Sequence, residues 1–334
     1  MTSVRRRLTV VVPAFGLLTL AVLLIAPTLG STPISLRRVF DSSIAWDDNV
    51  DAQIFFVARL PRVLAGALVG STLAAAGVVM QALLRNPLAT PFTLGVSAAA
   101  ALGAMAAIAL HLDATFLGAA AIPAACFGGA MVGTTIVYFL ATRVSGGLST
   151  NVLLLAGVTL NTFFSALITF VQYLVDPADW YRTARWLLGN LDVSSFTPIL
   201  ASVPLIGIAL LLFALLPRTL NLLTLGDDVA SGRGVDVATA QRIAFLSASL
   251  ATGAAISLAG PIGFIGIVVP HLVRLLVGSD HRIVLPAATL FGAAFLVSCD
   301  LIARTIMSPI ELPVGIVTAM IGGPFFLWLL VRRA

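Results

Sequence analysis

Asp300, Arg304 and Glu311 stand within or just beyond long apolar runs near the C-terminus. Ionisable side chains are expensive to bury in hydrocarbon, so such groups mark either an interfacial salt-bridge network or a functional site. A proton-coupled carrier would place carboxylates near mid-membrane, and the cores of most apolar runs here have none. Other chemistry finds no seat. There is no GxxxxGK followed by Ser or Thr, hence no P-loop for nucleotide. HExxH and CxxC are absent, and Gly95-Val96-Ser97 lacks the closing glycine of a nucleophile elbow. His271 reads as a structural residue and not as the base of a Ser97-dependent intramembrane protease. Cys126 and Cys299 lie in apolar surroundings without a second Cys or His at ligand spacing, so they read as small core residues. No catalytic residue and no metal ligand is assigned, and the energy for any transport is expected from outside the chain.

The scaffold for these groups is set by composition. Of 334 residues, 59% are hydrophobic and only 10% charged, with mean hydropathy +1.08. Soluble domains carry about 25% charged residues. The chain therefore reads as an all-α polytopic membrane protein, one transmembrane domain over residues 1–334. Spans of about 20 residues with short loops leave room for roughly nine to eleven helices and for no ordinary soluble domain. The net charge of +5 comes with 19 basic residues, all Arg. They suit the positive-inside rule better than nucleic-acid binding, since no soluble basic face exists.

Arg5, Arg6 and Arg7 precede an apolar run over 8–29. That run is longer than a signal-peptide core and lacks a cleavage site beside Pro27, so a retained first helix with a cytoplasmic N-terminus is expected. A polar outer loop follows, and further spans are expected over about 53–84, 92–110, 115–141, 151–175 and 197–216. Two more fall within 247–276, and the last pair covers about 283–303 and 313–331. Asn86-Pro87 and Pro91 make an inner turn, and Gly146 and Gly147 another. His111-Leu112-Asp113 is an outer turn, and 176–196, with Trp180, Tyr181 and Trp186, an outer interfacial helix. Residues 217–242 form the longest inner loop. Ten spans put both termini in the cytoplasm with about a dozen of the 19 arginines. Arg37, Arg38, Arg59, Arg62, Arg182, Arg185 and Arg304 fall outside, where that rule gives them no purpose.

Residues 247–276 are apolar but interrupted by Gly253, Gly260, Pro261, Gly263, Gly266 and Pro270. The backbone freed by such breaks must be satisfied by neighbouring protein or a wet cavity, so this segment belongs inside the bundle. It reads as a packing and motion element beside a transport route, not as a substrate site. Residues 77–103 faintly echo 266–292, although both polar turns count as cytoplasmic, which an exact inverted repeat would not allow.

Seven short strings, in order, carry a resemblance. They are Arg59-Leu60-Pro61-Arg62, Leu84-Arg85-Asn86-Pro87-Leu88-Ala89, Leu94-Gly95-Val96-Ser97, Leu153-Leu154-Leu155-Ala156-Gly157, Gly263-Phe264-Ile265-Gly266 with Pro270-His271, Asp280-His281-Arg282, and Glu311-Leu312-Pro313-Val314-Gly315. Together they resemble the permease family of iron-siderophore, haem and cobalamin ABC importers, from about Arg59 to Arg332. The resemblance implies a type II importer fold of ten helices in the bacterial inner membrane. It also implies a second permease subunit, in a homodimer, two cytoplasmic ATP-binding subunits that hold ATP and Mg, and an extracytoplasmic substrate-binding protein. The chain itself would bind no cofactor. A ferric siderophore is the expected cargo, with haem or cobalamin the alternatives. An ion- or proton-coupled secondary transporter is the alternative of another class.

The same resemblance implies roles for particular residues. Arg59, Arg62 and Arg304 match outer-rim positions that meet acidic residues of the binding protein. Asn86 and Leu88, with Ser149, Thr150 and Asn151, match two cytoplasmic constrictions. Gly226, Asp227, Asp228, Ala230 and Gly234 match the segment that couples to the ATPase. Ser231 and Arg233 depart from that pattern, which usually has a basic and an apolar residue there.

Overall fold

The computed structural model describes residues 2–112, 118–145, 149–193 and 195–333, all in helices, turns and connecting segments. Asp113, the expected start of a span at 115, and the Gly146 and Gly147 turn lie outside the described residues.

The chain begins with α1 (Thr2–Ile25), then two short helices, α2 (Leu36–Val39) and α3 (Val50–Gln53). A π-helical turn at Ile54–Arg59 leads directly into α4 (Leu60–Leu83). Next come α5 (Val96–Ala109), α6 (Ala121–Ser145), α7 (Thr150–Leu174), α8 (Pro177–Leu187) and α9 (Thr197–Leu215). Two short helices, α10 (Pro217–Leu223) and α11 (Asp227–Gly232), precede α12 (Val237–Ala259). The chain ends with α13 (Ile265–Val277), α14 (His281–Thr305) and α15 (Val314–Arg333). Among the described residues, seven helical segments are long and apolar enough to cross a membrane, and α5, α13 and part of α15 are shorter apolar helices. Each falls where a span is expected.

The differences have local causes. The segment between α9 and α12 is mostly helical and shorter than the expected 217–242, because α12 already begins at Val237. Asp236 caps it, accepting a hydrogen bond from the Thr239 backbone N–H at 3.1 Å, a pairing that stabilises a helix start. The third span is shorter than expected because Gly95, at φ 77, ends the turn Pro91–Leu94 and starts α5 in a new direction. The interrupted stretch divides at Gly260–Phe264, between α12 and α13.

Helix α4 is the axis of the bundle, buried over most of its length and packed against α14, α12 and α13. Small residues allow this. Gly66, Gly70 and Ala74 recur every four residues on one face, and Gly70 lies directly on the Gly292 backbone of α14. Gly77 packs on Gly266 of α13, so the first glycines of the two echoing stretches meet across a helix crossing. Close approach of backbones at small residues is how membrane helices associate where no hydrophobic driving force exists between them. Helix α7 carries Leu155, Phe163, Phe170 and Tyr173 as exposed apolar side chains.

Candidate functional site

Two polar clusters bracket α4. At its start, Arg62 donates from Nε to both carboxylate oxygens of Asp300 on α14, at 2.9 and 3.1 Å. Its second partner is Glu311, at 2.5 Å, in the loop before α15. Arg304, one helical turn beyond Asp300, lies 3.8 Å from the same carboxylate and donates to the Ala26 carbonyl at 2.6 Å. Arg59 donates to the carbonyls of Pro27 and Thr32. One network thus fastens α4, α14, the α15 entry and the segment after α1. Charge-assisted, multiply hydrogen-bonded pairs are the strong kind.

All three of these arginines are buried: Arg59, Arg62 and Arg304 are only 6%, 9% and 3% exposed, and Asp300 1%. Each guanidinium turns inward because the fold supplies carbonyls or a carboxylate there. Glu311 is the open member, with about two fifths of its side chain exposed. The salt-bridge reading of Asp300, Arg304 and Glu311 therefore holds, and its missing member is Arg62.

At the other end of α4, Arg85 occupies the left-handed region at φ 48. The Arg85 N–H bonds to the Ala82 carbonyl at 3.3 Å and the Asn86 N–H to that of Gln81 at 3.2 Å. This is a Schellman cap, a position that usually holds Gly, and a residue with a Cβ there costs about 1–2 kcal/mol. The Arg85 side chain reaches α10 and α11, donating from Nε to the Leu223 carbonyl at 2.8 Å and pairing with Asp227. Gln241 of α12 also donates to Asp227, at 3.4 Å. Asn86 then builds the next turn, its side chain accepting from the Leu88 N–H at 2.9 Å.

The rest of this end is tied as well. Gln81 donates to the Gly266 carbonyl at 2.8 Å and accepts from Arg274 of α13. Asn221 of α10 donates to Asp280 at 2.8 Å and accepts from the His281 N–H at 2.9 Å. Hydrogen bonds from the Arg282 side chain hold the Asp280 carboxyl well below the usual carboxylate range, with Asn221 adding to the effect. A depressed carboxylate contributes stability that is present above its unfolded value, about 3.9, and lost as pH falls through the folded one. Asp280→Asn is thus expected to lower the unfolding midpoint at neutral pH, with the gap from wild type closing below about pH 4. Thermal unfolding across a pH series checks this.

Of the other expected gate residues, Ser149, Thr150 and Asn151 lie at the start of α7. Gly157 packs on Leu94, and Phe164 clusters with Ala98 and Ala99, so α7 and α5 run side by side in the same direction. Ser149, Thr150 and Asn151 therefore lie toward the end where α4 finishes. Gly226 and Gly234 take positive φ around α11, while Ala230 is fully buried and Asp228 exposed. A cavity of about 280 Å³ lies between α4, residues 90–93, Asn161 of α7 and the break at 262–267. The interrupted stretch thus borders both a packed crossing and an open space. His271 is buried edge-on to Phe325 of α15, a structural setting.

Residues 18–332 match the profile of the FecCD transport family. The chain belongs to that family. It is the permease subunit of a metal-chelate ABC importer and not itself an ATPase; membership implies ATPase and binding-protein partners. A cobalamin import permease of Halobacterium salinarum, BtuC, is 37% identical, covering 96% of this chain and 95% of that one. The hemin permease HmuU of Yersinia pestis is also 37% identical, covering 91% and 90%. An Fe(3+)-citrate permease of Bacillus subtilis, YfmD, is 37% identical over 90% and 88%. A solved structure described as an inward-facing conformation of a transporter assigned to the metal-chelate type superposes with TM-score 0.82 at 29% identity, over 96% of this chain and 98% of that one. Sequence reasoning left out Asn221, Gln81 and Gln241 of this FecCD permease. Uncharged amides inside mostly apolar helices are a signal for them, since each needs a partner there.

Proposed function

We propose that this FecCD permease imports a bulky ferric chelate of the siderophore class by alternating access at the interface of a homodimer, driven by two ATP-binding subunits. The observation that best supports the importer reading is the FecCD family match over residues 18–332. In this reading the protein lies in a bacterial inner membrane with both termini cytoplasmic. The Arg85 end then faces the ATPases, which hold ATP and Mg, and α11 with Gly226, Asp227, Asp228, Ala230 and Gly234 meets them. Asn86, Leu88, Ser149, Thr150 and Asn151 close the cytoplasmic mouth. The Arg62 end faces outward and receives the binding protein. The burial of Arg59, Arg62 and Arg304 gives docking a definite form. An incoming carboxylate meets Glu311 first and reaches Arg62 by taking Glu311's place, while Arg59 and Arg304 supply the positive field behind it.

The geometry disfavours a proton-coupled carrier. Asp300, a buried carboxylate inside a long helix, is already held by two arginines. In proteoliposomes holding the permease, its ATPase and its binding protein, uptake of a ferric hydroxamate is expected to require both partners and ATP. A proton gradient alone should support none. Gradient-driven uptake by this chain alone would overturn the proposal, and uptake of haem or cobalamin in place of the ferric chelate would change the cargo within the same class.

A further inference from the structure

We propose that Arg85 is the strut that carries motion of α10 and α11 into the gate turn at residues 86–88. The inference rests on reading α11 as the ATPase-facing element and goes beyond it by naming the residue that transmits the movement. Three observations converge on this one side chain. Its backbone closes α4, and the next residue, Asn86, builds the turn through its hydrogen bond to the Leu88 N–H. Its guanidinium bridges the two short helices, bonding the Leu223 carbonyl at the end of α10 and the Asp227 carboxylate at the start of α11. Its φ of 48 is one that glycine would adopt without strain.

The strained backbone distinguishes a strut from an ordinary surface ion pair. A helix cap alone would be served better by Gly. Strain of this kind persists where the surroundings fix it and clusters at switch elements, so the outlier points to the side chain as the reason for Arg. Geometry makes the connection short. Only one peptide separates the residue that grips α11 from the residue that shapes the gate, so a displacement of α11 is felt at Asn86 without passing through a flexible segment. The opposite side of the coupling element is held differently. Asn221 ties α10 to Asp280 and His281 at the start of α14, which leaves Arg85 as the described link from α11 to the gate turn. Gln241 holds Asp227 from α12, fixing the carboxylate that Arg85 grips.

The test uses the permease assembled with its ATPase, in a Cys126→Ala, Cys299→Ala background carrying Leu88→Cys as a reporter. The rate at which a water-soluble maleimide labels residue 88 is measured with and without ATP and Mg. Arg85→Gln removes the grip but keeps the strained backbone, whereas Arg85→Gly removes the grip and relieves the backbone. Both are expected to shrink the nucleotide response by about tenfold, within the usual range of coupling effects between sites. The ATPase should still co-purify and hydrolyse ATP in both. A full response in Arg85→Gly would show that only the backbone cap matters and would overturn the proposal. Loss of the ATPase from either variant would also overturn it, by making Arg85 a docking residue. If labelling in the unsubstituted Arg85 background ignores nucleotide, the coupling reading itself has failed, and the strut falls with it through a separate readout.

Discussion

Asp300→Ala is expected to lower the stability of the protein by about 3–5 kcal/mol, the range seen when one partner of a buried ion pair is removed. The size follows from what stays behind. Arg62 would lose both Nε contacts, and Arg304 its nearby carboxylate, with both guanidiniums still buried between helices. Their other partners, Glu311 for Arg62 and the Ala26 carbonyl for Arg304, do not replace a carboxylate enclosed between two cations. Unfolding midpoints of the purified protein in detergent check this. Glu311→Gln serves as the contrast, because Glu311 is open to solvent and exposed pairs are worth only about 0–1 kcal/mol. A small shift in Glu311→Gln with a large one in Asp300→Ala is the expected pattern; a midpoint unmoved by Asp300→Ala would remove the network from the structural account. The pattern also bears on the proposed docking role. Substitution of Arg62 or Arg304 perturbs the fold itself, so Glu311 is the cleaner probe of that proposal.

Much of the helical order was legible because apolar runs and Gly or Pro breaks report the membrane directly. The interrupted stretch at 247–276 is the clearest instance, and the structure divides it at Gly260–Phe264 as those breaks suggest. What was not legible depends on pairing across distance. Asp300 and Arg304 looked unusual in the sequence, but nothing local says that Arg62, 238 positions from Asp300, completes their network. The burial of Arg59, Arg62 and Arg304 is hidden for the same reason, since exposure is decided by helices that are remote in sequence. Arg85 illustrates a second limit. It reads as one more basic residue at an inner turn, and only its backbone angle shows that a glycine position has been given to arginine. The segment 217–242 shows a third, because Asp236 was counted as loop although its capping bond makes it the boundary of α12.

Gly70→Leu is expected to destabilise the bundle by about 3 kcal/mol, the upper end of ordinary overpacking, because the obstacle is main chain and not a side chain that can turn away. A Cβ at Gly70 would collide with the Gly292 carbonyl and lie 2.8 Å from the Leu296 Cβ. The contact is reciprocal, since a Cβ at Gly292 would strike the Gly70 carbonyl. Trimming Leu296 to Ala therefore cannot rescue Gly70→Leu, for the Gly292 backbone remains in place. To admit the larger side chain, α4 must separate from α14, and that movement also pulls Arg62 away from Asp300 two turns earlier on the same pair of helices. Gly207→Ala in α9 is the control. No atom lies near a Cβ there, and Ala favours a helix over Gly by about 1 kcal/mol, so the midpoint should stay or rise. A Gly70→Leu midpoint equal to that of the control would mean that α4 and α14 do not meet at Gly70 in the membrane protein. A drop in Gly70→Leu that Leu296→Ala fails to restore would place the axis of the bundle at this backbone contact.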